Sequence, residues 1–286
     1  MAIRPVIKEH PEGITYGHSA VIKEYPEGIT YGHSAVIKEY PEGITYGHSA
    51  VIKEETNMLW DSTYVLVLIG AALTMLASGR VNSTYARYAK VRSVTGLTGA
   101  EAARKILESQ GIYNVTIQHV SGNLTDHYDP RNHILSLSDA TFGSSSVAAV
   151  GVAAHECGHA VQHNQGYTPL SFRSALVPVA NIGAKLSWPL VIIGLLINGD
   201  SSMLLIQAGI ILFCTVVLFQ IVTLPVEFNA SSRALKLLGE NGILYDEELD
   251  GTKKVLSAAA MTYVASVAAS LLQLLRLLML ANRNRN

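Results

Sequence analysis

His155, Glu156 and His159 stand in the pattern His-Glu-x-x-His, and this is the part of the chain best suited to chemistry. Two residues four positions apart share one face of an α-helix, so the two imidazoles can bind a single metal ion. The glutamate beside the first histidine is close enough to take a proton from a water at that metal. The pattern therefore predicts zinc-dependent hydrolysis of a peptide bond, with Glu156 as the catalytic base.

The composition indicates contact with lipid. Of the 286 residues, 49% are hydrophobic and 15% are charged, which is an unusual balance for a soluble domain. The formal net charge is −1, so the overall charge does not favour nucleic-acid binding, and we expect none. Cys157 and Cys214 are expected to be small packing residues without a disulfide.

Residues 1–57 form a block unlike the rest of the chain. A 15-residue unit occurs three times in residues 6–50, and the copies differ only where His10 corresponds to Tyr25 and Tyr40. Each copy contains the turn signal Pro-Glu-Gly and has too few apolar residues to build a core. We interpret the block as a flexible repeat appendage or a tag, outside the fold.

Hydrophobic segments of membrane-spanning type occupy much of the remaining chain. We expect a first transmembrane helix at 58–80, a hairpin at 177–224 that turns at Asn198-Gly199-Asp200, and a C-terminal hydrophobic helix at 255–286. About 20 apolar residues are needed to cross a bilayer. Arg276 interrupts the last segment, so this arginine is either paired inside the bundle or marks a helix at the membrane surface.

A soluble insert at 81–176 is predicted between the first helix and the hairpin. Thr98 and Glu101 form a capping box that opens a helix, and Ser144-Ser145-Ser146 can cap the helix that carries His155. Alternating apolar residues predict strands at Val115–Val120 and His133–Ser138. The expected fold is a mainly α integral membrane protein with about four hydrophobic helices and a small α+β, zincin-like catalytic insert.

Catalytic zinc usually has three protein ligands and one water, so a third ligand is required. His163 is rejected because it lies about 12 Å along the helix from His155, whereas zinc–nitrogen bonds are about 2 Å. Glu227, in the segment 225–254, is the better candidate. The hairpin returns the chain to the side of the membrane where it entered, which is the side of the histidines. The alternative is that Glu227 is an interfacial charge without a metal.

Three motifs resemble the YugP-like family of bacterial membrane zinc metallopeptidases. They are Leu124–Pro130, Ala153–Ala160 and Pro225–Ser231, in this order among the hydrophobic segments. The family is similar in plan to the HtpX and Ste24 proteases, in which a glutamate after the His-Glu-x-x-His helix completes the metal site. The resemblance implies a gluzincin-like protease whose Zn²⁺ is held by His155, His159 and Glu227.

One position departs from the HtpX and Ste24 pattern. Those proteases carry an aspartate four residues after the third ligand, where this chain has Ser231, so a role behind the metal ligands is assigned instead to Asn229. An oxyanion formed during hydrolysis needs a donor besides the metal. The candidates are His127, Tyr128 and Arg233, and a structural role remains the alternative for each. We also expect substrate to add to the edge of the strand near His133–Leu137.

Positive charges predict how the chain is oriented in a bacterial cell membrane. They follow the first hydrophobic segment, and by the positive-inside rule the insert and its site face the cytoplasm; these residues are Arg80, Arg87, Lys90 and Arg92. Arg283 and Arg285 conflict with this orientation if the last helix crosses the bilayer. The expected partners are lipid and protein or peptide substrates; the likeness to HtpX implies membrane proteins among these substrates, in quality control.

Two other classes of function are compatible with parts of the sequence. A non-catalytic zinc-binding membrane scaffold would have a closed site with four protein ligands and would not depend on Glu156. A transporter or channel would need polar or broken helices in mid-membrane, and the segment 203–224 offers only Gln207, Thr215 and Gln220. The peptidase is the preferred interpretation.

Overall fold

The computed structural model describes residues 62–197 and 200–283, together with three short strands in the N-terminal block. The chain divides into two units, Met1–Tyr64 and Val65–Asn286. In the first unit, β1 (Lys8–Glu9) pairs antiparallel with β2 (Ile14–Gly17), and β2 pairs antiparallel with β3 (Ala20–Lys23). The predicted Pro-Glu-Gly turns and most of the repeats lie outside the described residues. The interpretation of residues 1–57 as a separate appendage therefore stays a prediction.

Six helices account for most of the second unit. They are α1 (Tyr64–Tyr88), α2 (Gly99–Ser109), α3 (Val147–Asn164), α4 (Thr168–Leu196), α5 (Asp200–Glu240) and α6 (Asp246–Arg283). Four of them, α1, α4, α5 and α6, are long and apolar enough to cross a membrane. Together with one small sheet, they confirm the predicted class of a mainly helical membrane protein with a small α+β insert.

The predicted hairpin consists of α4 and α5, which pack along each other. Glycine allows close approach: a Cβ atom at Gly209 would lie 2.8 Å from the carbonyl oxygen of Ser187. The hydroxyl of Ser202 donates a hydrogen bond to the carbonyl of Gly194 at 2.6 Å near the turn. Asn198 and Gly199 of the predicted turn lie outside the described residues. Because α5 continues through Pro225, Glu227 lies on the same helix as the apolar segment.

The insert contains a three-stranded mixed sheet in the order β4 (Thr116–Val120), β6 (Ile134–Ser138), β5 (His127–Asp129). β6 pairs parallel with β4 and antiparallel with β5, so it is the central strand. The prediction that substrate adds to the edge of the strand near His133–Leu137 is therefore wrong, because both edges of that strand are already hydrogen-bonded. Within the described residues β5, which the sequence patterns did not predict, has an unpaired edge.

Local capping signals agree with the structure of the insert. Thr98 and Glu101 form the predicted capping box at the start of α2. The hydroxyl of Ser146 accepts a hydrogen bond from the backbone amide of Ala149 at 3.2 Å and so caps α3. The capped α3 then runs through the middle of the insert core, which includes Leu135, Leu137 and Ile106 from the sheet and α2.

The helix α3 packs closely on α5 and α6 because two of its residues are glycines. A Cβ atom at Gly158 would lie 2.5 Å from the carbonyl oxygen of Ala230 on α5, and one at Gly151 would lie 2.6 Å from a methyl of Thr252 on α6. Real Cβ atoms do not approach other heavy atoms so closely. The spacing between α3 and α5 therefore depends on the absence of a side chain at Gly158.

In α6, the arginine that interrupts the apolar segment is buried. Arg276 is 6% exposed and lies next to Leu277, which belongs to a core cluster shared with α4 and α5. Of the two alternatives for this arginine, its burial favours a place inside the bundle. Whether α6 crosses the bilayer stays a prediction.

A single methyl group at Gly158 is expected to destabilise the fold. The variant Gly158→Ala must push α3 away from α5, and overpacking of this kind costs about 1–3 kcal/mol. Thermal unfolding of the purified protein in detergent measures the effect. The control is Gly79→Ala on α1, where an added Cβ meets nothing within 4 Å. Equal unfolding temperatures for the two variants would contradict the packing argument.

Candidate metal centre

Three side chains converge where α3 meets α5. His155 and His159 lie one turn apart on α3, with their ring centroids 4.8 Å apart. Oε2 of Glu227 on α5 lies 3.3 Å from Nε2 of His155 and 3.5 Å from Nε2 of His159. One donor atom from each of the three residues lies within 4.8 Å of the others, and within the described residues this is the group that could hold a metal ion.

One oxygen of Glu227, Oε2, has the surroundings that a bound cation would need. Its side chain is 3% exposed, and no described residue gives its Oε2 atom a well-formed hydrogen bond. A buried carboxylate needs a proton, a cationic partner or a metal. Two imidazole nitrogens and a carboxylate oxygen are the donor types that zinc takes in catalytic sites with three protein ligands. The donor set therefore fits Zn²⁺.

Gln162 fixes the tautomer of His159. Its amide Nε2 donates to the carbonyl of Val226 at 2.8 Å, which is an acceptor only, and to Oδ1 of Asn229 at 3.0 Å. The Oε1 atom of Gln162 must then face Nδ1 of His159, 3.0 Å away, and accept its proton. With the proton on Nδ1, the Nε2 lone pair of His159 is free for a metal.

Ser231 makes the corresponding contact to the other histidine. Its hydroxyl lies 3.1 Å from Nδ1 of His155. The hydroxyl on α5 thus reaches the ring from behind. Since an oxygen partner on Nδ1 orients the ring and leaves Nε2 free, the serine can support a metal ligand.

The electrostatics of the site favour positive charge between these side chains. Burial lowers the pKa of His159, but its interaction with Glu227 and the nearby charge of Glu156 raise the pKa above its usual value overall. The same negative potential that stabilises a proton on His159 also stabilises a metal cation. Cys157, between the two histidines, is buried in the core, and burial raises the pKa of its thiol, so it is an inert packing residue.

Two cavities adjoin the three converging side chains. The first, called here the polar groove, has a volume of about 210 Å³ and is lined by His127 and Tyr128 of β5 and by Arg173 of α4. The second, called the apolar cavity, has a volume of about 230 Å³ and lies between α1, α3 and α6. Glu156, 9% exposed, lines both cavities. Its carboxylate is therefore accessible at the point where the two cavities meet the metal ligands.

The other candidate residues from the sequence occupy two different places. His127 and Tyr128 line the polar groove, and the hydroxyl of Tyr128 also lies 3.0 Å from Nδ1 of His163. Arg233 instead donates to Oδ1 of Asn229 at 2.7 Å and to Gln165. Asn229 thereby connects Arg233 to Gln162, and Gln162 in turn contacts His159.

Asp126 holds the loop that leads into β5. Its carboxylate accepts hydrogen bonds from the backbone amide and the hydroxyl of Ser138, both at 2.8 Å. These bonds tie the start of β5 to the end of β6, so His127 and Tyr128 are presented to the polar groove on a fixed strand. The Leu124–Pro130 motif thus has a positioning role that its residue types alone do not reveal.

Sequence reasoning missed three residues at the centre. Gln162 had a local signal, since it lies three positions after His159 and therefore on the same helical face. The Nη2 atom of Arg173 lies 3.8 Å from Oε1 of Glu227. The sequence signal for this residue was a single arginine near the start of a mainly apolar helix. Tyr263, which lines both cavities from α6, had no local signal because the contact depends on helix packing.

Comparisons with known proteins show which family the chain belongs to. The family model described as "Putative neutral zinc metallopeptidase" matches residues 63–282, and the chain belongs to this family. The chain is also 43% identical over 221 residues to the "Putative membrane protease YugP" of Bacillus subtilis. The aligned region covers 77% of this chain and 97% of that protein. This confirms the YugP-like resemblance. No solved structure matches the chain.

Removing the negative charge of Glu227 is expected to abolish stoichiometric zinc binding. In Glu227→Gln the side-chain shape is kept, but the anionic donor is lost, and the amide is a poor zinc ligand. Metal analysis of the purified, zinc-equilibrated protein measures the effect. The control is Glu240→Gln at the end of the same helix, where the carboxylate is exposed and pairs with Lys236. Full zinc content in Glu227→Gln would require a different third ligand.

Replacing Gln162 is expected to weaken zinc binding without touching a ligand. In Gln162→Leu the Nδ1 proton of His159 loses its acceptor, and changes behind a metal-binding histidine typically cost about 10–100-fold in affinity. Competition with a fluorescent zinc chelator gives the dissociation constant. Gln118→Leu, at an exposed position on β4, serves as the control. If both variants bind zinc as tightly as the parent, Gln162 does not set the tautomer.

Proposed function

We propose that the chain is a membrane-embedded, zinc-dependent metalloendopeptidase. The observation that carries the proposal is the convergence of Nε2 of His155, Nε2 of His159 and Oε2 of Glu227, with Glu156 buried beside them. Three ligands leave a position for water, as a catalytic zinc site requires, whereas a structural site is closed by four. The family description as a zinc metallopeptidase supports the same function.

The chemistry assigns one role to each group. Zn²⁺, when bound by His155, His159 and Glu227, lowers the pKa of a water and polarises the substrate carbonyl. Glu156 takes a proton from the attacking water as the new oxygen–carbon bond forms. The same carboxyl group then gives the proton to the leaving nitrogen as the carbon–nitrogen bond breaks. One water is consumed, and the products are a carboxylate and an amine.

The negative charge that develops on the carbonyl oxygen needs donors from the protein. His127 and Tyr128 at the β5 edge are the donors proposed from the sequence, and both line the polar groove. Arg173 is an additional candidate, because its Nε atom is buried without a hydrogen-bond partner among the described residues and its guanidinium lines the same groove. Arg233 is bonded to Asn229 and Gln165, and so supports the centre from behind.

The unpaired edge of β5 can hold the substrate. An extended peptide that adds to a sheet edge is fixed by main-chain hydrogen bonds, which are independent of its sequence. β5 borders the polar groove beside Glu156, so a peptide along this edge would pass the metal ligands. Protein or peptide segments near the membrane are therefore the proposed substrates, in keeping with a role in membrane protein quality control.

The proposed location is a bacterial cell membrane, with several crossings and the site on the cytoplasmic side. The four long apolar helices and the membrane-protease relative support the membrane location. The orientation rests on Arg80, Arg87, Lys90 and Arg92 at and after the end of α1. Since the end of α1 leads into the insert, this cluster and the metal centre lie on one side of the bilayer.

Glu156→Gln is expected to retain zinc and lose hydrolysis. The amide keeps the size of the side chain but cannot accept the water proton, and loss of general base catalysis typically costs at least about 10²–10⁴-fold in rate. The test is cleavage of a membrane-protein substrate after chelation and zinc reconstitution, alongside metal analysis. Glu108→Gln, at an exposed position on α2, is the control. Cleavage by Glu156→Gln at the rate of the parent would refute the role of Glu156 as the base. If the parent itself shows no zinc-dependent cleavage, a non-catalytic zinc-binding membrane scaffold is favoured instead.

A further inference from the structure

Aliphatic side chains line the apolar cavity away from the metal centre, and polar and aromatic ones line the rest, including Asp126, Ser231 and Tyr263. α6 contributes Val255, Ala259 and Ala260, α3 contributes Val152, and α1 contributes Val81. Val255 and Ala260 are each 4% exposed, so these walls belong to the packed interior of the protein. A space of about 230 Å³ with such walls is suited to an apolar group of the size of a large side chain.

The apolar cavity opens onto the residues of the metal centre. His155, Glu156 and Glu227 line both the apolar cavity and the polar groove that borders β5. When a peptide in the polar groove has its scissile bond at the metal ligands, the side chain of a residue next to that bond can therefore reach the apolar cavity. Because the cavity shares these residues with the centre, a substrate side chain is favoured as its occupant over a lipid or a segment of this protein.

The wall formed by α1 contacts α6 at two points along its length. Gly70 is the buried residue of α1, and a Cβ atom there would lie 3.1 Å from Cβ of Ala269, so α1 meets α6 closely at that point. Toward its other end, Val81 and Tyr85 face the apolar cavity. The cavity thus lies between the Gly70 contact and a second one near the end of α1, where a Cβ atom at Gly251 of α6 would lie 2.6 Å from the ring of Tyr88.

We propose that the apolar cavity is a specificity pocket for a large apolar side chain, such as leucine, methionine or phenylalanine, next to the bond that is cut. This inference rests on the proposed function. Ala259 and Val255 then set the size of the accepted side chain, because they face the cavity from adjacent turns of α6. Changes of a few methylene groups in such a pocket typically alter selectivity about 10–100-fold.

The test compares one variant that narrows the pocket with another that widens it. Ala259→Leu is expected to lower kcat/KM about 10–100-fold for peptides with leucine or phenylalanine beside the cleaved bond, with little change for alanine. Val255→Ala is expected to shift preference from leucine toward phenylalanine. Zinc content stays that of the parent in both. The control is Ala72→Leu, the same enlargement at an exposed position on α1.

Mass spectrometry of a peptide library that varies the flanking residues among leucine, phenylalanine, alanine, lysine and aspartate gives the selectivity. Peptide affinity is also measured by calorimetry in zinc-loaded Glu156→Gln, which separates binding from hydrolysis. Leucine peptides that bind more tightly than alanine peptides, with the difference lost in Ala259→Leu, support the pocket even if the parent does not hydrolyse them. Unchanged selectivity and affinity in both pocket variants, or a preference for lysine or aspartate, would overturn the inference while leaving zinc-dependent cleavage intact.

Discussion

The centre depends on how closely two helices approach each other. α3 can lie against α5 only because Gly158 has no side chain where the carbonyl of Ala230 passes. This contact brings a carboxylate on a membrane helix within 3.3–3.5 Å of two imidazoles on a helix of the insert. The glycine stands next to His159 in the sequence, so the same turn of α3 supplies a metal-binding side chain and the space that its partner helix needs.

The polar contacts behind the centre follow from the same approach. Once α5 lies against α3, Gln162 is buried against the carbonyl of Val226 and the side chain of Asn229, and Ser231 is beside His155. Each buried polar group in this layer has a partner, which is the condition for a rigid site. At the centre itself, no described residue gives Oε2 of Glu227 a well-formed hydrogen bond, and this is the atom that lies 3.3 Å and 3.5 Å from the two Nε2 atoms.

Features of this protein that depend on local sequence could be predicted, and features that depend on packing could not. The cap at Thr98, the helix through His155 and the apolar helices follow from short patterns. The position of Glu227 followed from the topology of a hairpin. The strand β5 is too short to show a period, so the central position of β6 was missed. Arg173 and Tyr263 reach the centre from helices whose mutual packing no periodicity encodes.

The order of the ligands along the chain has a consequence for biosynthesis. His155 and His159 belong to a helix of the insert, whereas Glu227 follows the apolar part of α5, after the entire α4–α5 hairpin has been made. The third donor reaches the other two only when that hairpin has folded back on itself. A nascent chain therefore carries two of the three donors until Glu227 has been synthesised, and the set is complete only when α5 packs against α3.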